Sequence, residues 1–271
     1  MLETLRNSDR ETYLATLFLA ADKREDVATL WAFNAEIERI RTLVSEPVPG
    51  EIRLQWWRDV LSGDRAGEGA QHPLANALLA VIEKHQLQVP AFDNMLEARI
   101  FDLYNDPMPD LATLEGYLGE TRSVLFQMSL QIIMGEEPEN GDAAGHAGVA
   151  FGIAQILRYL AHQRARGQIF VPEDILRASG LDAAQFLALD EAAKFRPTIA
   201  ALIALGREHL AKATEAISTL EKQHRVAFLP LVICNLVFDR ADKSEGKIAF
   251  EPMVLSQLSV QWRMLLRSIR G

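Results

Sequence analysis

Residues 24–44 read REDVATLWAFNAEIERIRTLV, and this stretch decides the fold class. Its apolar residues Val27, Leu30, Trp31, Ile37, Ile40 and Val44 recur at spacings that gather side chains along one side of an α-helix. Downstream, Pro47, Pro49 and Gly50 break the chain before a run of helix formers over 51–61. Further helices are predicted over 73–85, 90–104, 111–134 and 143–165, with breaks at 105–109 and 135–141 rich in Pro, Gly, Asn and Asp. Residues 198–222 carry another apolar period, and two final helices are predicted over 225–240 and 252–269. The segment Gln168-Ile169-Phe170-Val171-Pro172 is too short and isolated for a sheet. It reads as an extended connection into a short helix over 173–177, with Pro172 at its start. No strand alternation persists, and the breaks are short, so the expectation is one all-α helical bundle over residues 1–271.

Composition narrows the function classes. The chain has 271 residues, 49% of them hydrophobic, with a formal charge of -9, enough for a large core and contrary to a nucleic-acid footprint. No apolar run reaches the length that spans a bilayer. The opening MLETLRNSDRETYL contains acids and does not read as an import peptide, so a cytoplasmic protein is expected. Cys234 is the single cysteine, which excludes an internal disulfide and a thiolate metal cluster, and it reads as a buried apolar residue. The last segment, SVQWRMLLRSIRG, sets Trp262, Arg263, Arg267 and Arg270 among apolar residues. Ordinary helix packing is its first reading, and peripheral contact with an acidic membrane surface or partner is its second.

Familiar catalytic signatures are missing. The chain has no phosphate-binding Gly-rich loop, no G-x-S-x-G and no H-E-x-x-H. Glu221 and His224 form one Glu-x-x-His pair without a second copy, so a solvated face is the expectation. Gly145, Gly148 and Gly152 share a near-heptad spacing in the 143–165 helix. They suit close helix approach, or room for a lipid tail.

Two segments carry a resemblance. The first is Thr12-Tyr13-Leu14-Ala15-Thr16-Leu17-Phe18-Leu19-Ala20 with Arg24 and Leu30-Trp31-Ala32-Phe33-Asn34. The second is Gly152-Ile153-Ala154-Gln155-Ile156-Leu157-Arg158 with Arg166-Gly167-Gln168-Ile169-Phe170-Val171-Pro172. Together they resemble the squalene and phytoene synthase family, the second segment keeping the order and spacing of the family's "NILRDVGEDxxRGRxYLP". The resemblance implies an isoprenoid-synthase bundle in which two facing helices present carboxylates. Those carboxylates hold magnesium ions, which bind and help expel an allylic diphosphate.

At the matching positions this chain departs from that pattern. Where an Asp-Asp-x-x-Asp run is implied, it reads Glu38-Arg39-Ile40-Arg41-Thr42, and in the second run Tyr159 and Gln163 stand in place of aspartates, with His162 for an intervening acid. Arg41 lies three residues from Glu38, close enough on a helix to pair with it, which would leave a local ion pair where a metal motif is implied. Gln155, Tyr159, His162 and Gln163 then share a polar, largely uncharged face. They can form a packing network, line a binding cavity, or belong to a redesigned active site. Tyr13, Phe33, Asn34, Gln155, Arg158 and His162 are the candidate cavity-lining residues. Asp102, within Glu97-Ala98-Arg99-Ile100-Phe101-Asp102-Leu103, reads first as a salt-bridging acid and second as an extra metal ligand.

The stretches Arg53-Leu54-Gln55-Trp56-Trp57-Arg58 and Phe170-Val171-Pro172-Glu173-Asp174-Ile175 are similar to the branch that includes mitochondrial complex I assembly factors with a squalene/phytoene-synthase-like domain. That branch also lacks the metal-binding aspartates. The resemblance implies a non-catalytic role without a cofactor at the inner face of a respiring membrane, with respiratory-complex subunits or a lipid or prenyl ligand as partner and the surface near Trp56 and Trp57 as a contact. The alternative is a prenyl-diphosphate transferase with an altered magnesium site built from Glu38 and acids such as Asp102.

Overall fold

Two long helices, Ala21–Leu43 and Asp142–Ala165, carry the architecture in the computed structural model, which describes residues 1–270 apart from the side chain of Arg270; Gly271 lies outside the described residues. Among the described residues there is no strand. The first long helix is not one-sided, as its apolar period predicts. Every residue from Val27 to Asn34 is buried, because Leu2–Ser8, Pro73–His85, Val124–Met134 and Pro47–Ser62 pack around it. Ala28, Thr29 and Ala32 add little to an apolar pattern, yet they are small enough to let these neighbours approach. The second long helix is buried along most of its length and packs mainly against Arg196–Thr219, with residues 119–134 and Val232–Lys243 closing round it. The buried apolar side chains form one contiguous cluster.

Helix ends follow local chemistry. Pro47 and Pro49 do not precede a helix but open one, Pro47–Ser62, since the first turn needs no backbone donor. The 90–104 prediction resolves into Val89–Ala98 and a 3₁₀ turn Arg99–Leu103, and 225–240 into a 3₁₀ segment Arg225–Leu231 followed by Val232–Lys243. The last helix begins at Gln257 rather than 252. Four short helices escape the apolar period, Ala66–Gln71, Ala183–Ala188 and, at the start of the chain, Leu2–Ser8 followed by Arg10–Thr16. The signal for the first pair in the chain is Asp9, whose carboxylate accepts from the Thr12 N–H at 3.0 Å and caps Arg10–Thr16.

The 111–134 helix contains one feature that shapes the site. Between Leu111–Leu118 and Val124–Met134 it widens into a π turn, Gly119–Ser123. This turn lies so close to the second long helix that a Cβ on Gly148 would stand 2.2 Å from the Ser123 nitrogen. The Ser123 hydroxyl donates to the Gly145 carbonyl at 2.8 Å. Gly152 likewise admits Leu118, whose Cδ2 would lie 2.3 Å from an added Cβ. Close approach is therefore what Gly148 and Gly152 permit, while a Cβ on Gly145 would meet nothing within 4 Å.

Two further expectations meet the structure here. Cys234 is fully buried, and burial pushes its thiol pKa up, so it behaves as a core residue. Trp57 is also core, packed edge-to-face on Phe33 at 5.0 Å between ring centroids. The expected contact surface near Trp56 and Trp57 is thus not formed by Trp57. Ile52 and Val48 are the exposed apolar residues of that helix. Among the described residues no helix is long and apolar enough to cross a membrane.

Candidate functional site

The C-terminal halves of the two long helices face each other across a cavity of about 840 Å³. Glu36, Glu38, Arg39 and Thr42 line one wall, and Gln155, Tyr159, His162 and Gln163 line the other. The two stretches singled out in the sequence therefore meet in space. Four expected lining residues stand behind the walls instead. Tyr13 packs against the core, Phe33 is fully buried beside Trp57, and Asn34 is buried with its amide directed at Glu38 and Arg99. Arg158 pairs with Glu11 at 2.9 Å and lies over the Tyr159 ring.

Glu38 does not pair with Arg41. Its Oε1 accepts from Arg99 Nη2 at 2.9 Å and also from Arg122 Nη2. Arg41 turns away, toward the Val44 carbonyl and the Asn105 side chain, each at 3.4 Å. The physical reason is burial. Arg99 is 4% exposed and sits among oxygens that only the tertiary fold assembles, whereas Arg41 is only partly buried. Burial pushes the Glu38 pKa up, and the Arg122 and Arg99 guanidiniums outweigh that push, so the net shift is downward.

Arg99 is the hub of the floor. It donates to Asp102 Oδ2, to the Tyr117 hydroxyl and to Asn34 Oδ1, each at 3.0 Å, besides Glu38. Tyr117 donates in turn to Asp102 Oδ1 at 2.6 Å. Burial raises the Asp102 pKa and the Tyr117 pKa, while Arg99 is held protonated, its desolvation overcome by Tyr117, Glu38 and Asp102. Arg122 comes from the π turn, and its guanidinium also lies over the Phe151 ring. Sequence reading passes over Arg99 and Arg122 because a lone arginine in a helix carries no local signal. Arg99 in fact stands three residues before Asp102, the acid that such reading does single out.

A magnesium cluster needs several carboxylates free to face it. Here each acid of the lining has another commitment. Asp9 caps a helix, Glu11 pairs with Arg158, Glu36 lies 3.4 Å from Arg39, and Asp102 and Glu38 hold Arg99. The opposite wall offers amides, a phenol and an imidazole. Among the described residues no group of three or more His, Cys, Asp or Glu is arranged to hold a metal ion. The donor set does not fit such a cluster. It leaves unmet hydrogen-bonding capacity instead: the Oε1 atoms of Gln155 and Gln163 are buried without partners, so these two glutamines do not form a closed packing network.

The sequence matches the squalene/phytoene synthase family over residues 5–265. The chain belongs to that family. Solved members share its fold. A dehydrosqualene synthase in complex with ligand superposes with a TM-score of 0.79 at 15% identity, covering 99% of this chain and 94% of that one. The squalene synthase HpnC from Alicyclobacillus acidocaldarius gives 0.76 at 17%, covering 90% and 92%. Among relatives by sequence, the human protein named NADH dehydrogenase (ubiquinone) complex I, assembly factor 6, is 29% identical over 231 residues, 85% of this chain and 69% of the relative. The tomato (Solanum lycopersicum) protein named phytoene synthase 2, chloroplastic, is 24% identical over 245 residues, 86% and 77%. The squalene/phytoene synthase bundle is thus retained here around a cavity floor of paired arginines and carboxylates.

Proposed function

We propose that this squalene/phytoene-synthase-like bundle is a non-catalytic module that acts in the assembly of a respiratory complex of the complex I type. The observation that carries the reading is the engagement of Glu38 by Arg99 and Arg122. It is the acid that survives in the first motif run, and two guanidiniums fill the space beside it where metal-assisted diphosphate departure would need divalent cations. The name of the human relative, a complex I assembly factor, supports the same direction. Fold alone would not, because bundles of this shape also belong to synthases. Complex I subunits are the partners that this reading assigns, and no cofactor enters it.

The test has two arms. Calorimetric titration with farnesyl or geranylgeranyl diphosphate, with and without magnesium, is expected to show no metal-dependent binding and no diphosphate release. Either signal would replace the reading with a transferase acting through an altered ion set. In a deletion strain, complex I activity is expected to fall and to return with the wild-type chain. Full activity without the protein would end the assembly role.

A further inference from the structure

The helices Asp142–Ala165 and Arg196–Thr219 bring two histidines face to face. His146 Nδ1 and His209 Nδ1 stand 3.0 Å apart, with the ring planes at 62° and the centroids 5.0 Å apart. A third element orients the pair. Glu115, on Leu111–Leu118, has its Oε1 3.1 Å from His209 Nε2. A carboxylate only accepts, so His209 carries its proton on Nε2 and presents the Nδ1 lone pair to His146.

The contact is a hydrogen bond from His146 to that lone pair, and its spacing is also that of two ligands on one ion. Imidazole nitrogens bind a first-row dication at about 2.0–2.1 Å, so two of them at a right angle around it stand about 3.0 Å apart. The Glu115–His209 contact is the carboxylate–histidine arrangement that fixes a ligating ring and raises its basicity. His209 is 8% exposed and held between helices, whereas His146 is partly exposed. An ion therefore reaches the pair from the His146 side and keeps water in its remaining positions. The local field favours a cation. Glu115 and Asp142 act on His146 as negative charges and Lys212 as a positive one, but Lys212 is engaged by Glu208 at 2.7 Å. Burial, then His209 and Lys212, hold the His146 pKa below the ordinary imidazole range, which leaves this ring uncharged at neutral pH, the form that binds metal.

We infer that His146 and His209 bind one transition-metal dication of the zinc, nickel or copper kind through their Nδ1 atoms, with Glu115 positioning His209 and water completing the coordination. Binding moves the His146 proton from Nδ1 to Nε2 and leaves the ring neutral. Imidazole donors favour these metals over magnesium and calcium. Two protein ligands are fewer than a structural zinc site uses, so the ion is exchangeable. The site lies about 14 Å along the Asp142–Ala165 helix from Gln155 in the cavity wall. It does not rest on the assembly role and is tested without it.

Untagged full-length protein, stripped with a chelator, is titrated calorimetrically with zinc, nickel or magnesium chloride at about pH 7.5 and about pH 5.5. One zinc or nickel ion per chain is expected at the higher pH. Affinity should fall at least about tenfold at the lower one, as the imidazoles protonate, and magnesium should give no binding. His146→Ala should abolish binding, Glu115→Gln should weaken it by about 10–100-fold, and His224→Ala, outside the pair, should leave it unchanged. Copper bound to the wild-type chain should show two imidazole nitrogens by electron paramagnetic resonance, a readout that needs no variant to fold. Absence of one-to-one zinc or nickel binding, binding that a folded His146→Ala retains, or copper held by a single imidazole overturns the inference.

Discussion

Replacing Arg99 with methionine removes the hub of the cavity floor while keeping much of its volume. Four partners lose a donor at once: Glu38 at 2.9 Å, and Asn34, Asp102 and Tyr117 at 3.0 Å. Glu38 retains Arg122, but Asp102 keeps only the Tyr117 hydroxyl, with 12% of its side chain exposed. Breaking a buried pair by removing one partner costs about 3–5 kcal/mol, because the remaining charge stays desolvated. The upper half of that range is expected here, since two carboxylates share the lost cation. The sign of the pH dependence follows. In the wild type Glu38, with its pKa lowered, stabilises the fold above its unfolded value and ceases to do so as pH falls through the folded one. In the variant Asp102, already raised by burial, rises further, and its penalty shrinks as acid protonates it. The deficit between the proteins should therefore be largest near about pH 7 and narrower near about pH 5. Urea denaturation at both values measures it, and Asp102→Asn added to Arg99→Met should recover about 1–3 kcal/mol. A deficit below about 1 kcal/mol, or one equal at both pH values, would refute the argument that this guanidinium holds the floor together.

The remaining predictions are narrower. Arg122→Ala should destabilise by about 2–4 kcal/mol while Arg41→Ala stays within about 0.5 kcal/mol, as read by denaturant midpoints; the reverse order would restore the Glu38–Arg41 pair. Gly148→Ala should cost about 2 kcal/mol or more against the Ser123 backbone, whereas Gly145→Ala, with open space at its Cβ, should be neutral or stabilising by up to about 1 kcal/mol. His146 contacts His209 at 3.0 Å between their Nδ1 atoms, and its pKa is lowered by burial, then by His209 and Lys212, against Asp142 and Glu115. Its neutral form is the one that fits, so stability should fall as pH drops below its unfolded value of about 6.5. His146→Gln should flatten that part of a thermal-midpoint profile, and an unchanged profile would count against the pair. Finally, Arg39→Asp, Thr42→Asp, Tyr159→Asp and Gln163→Asp combined should give no product from geranylgeranyl diphosphate and magnesium, because Arg99 and Arg122 still occupy Glu38. Measurable turnover would contradict this.

Much of this protein is legible in one dimension. The helical period of 24–44, the Pro and Gly breaks and the Arg166–Pro172 spacing state a helical bundle of the squalene/phytoene synthase type, because periodicity and turn chemistry are local properties of the chain. That Arg39, Thr42, Tyr159 and Gln163 stand where the family resemblance implies aspartates is equally local, since it needs only the order of residues set beside the family's motif. The partner of Glu38 is not local. Helix spacing offers Arg41, one turn away, and the folded chain instead brings Arg99 and Arg122 from 61 and 84 residues distant. A pairing energy depends on what is dehydrated together, and dehydration is decided when helices pack. The same holds for the retreat of Tyr13, Phe33, Asn34 and Arg158 behind the walls, and for the last helix, whose composition suggests two uses while only its docking by Val260 and Met264 decides which side remains bare.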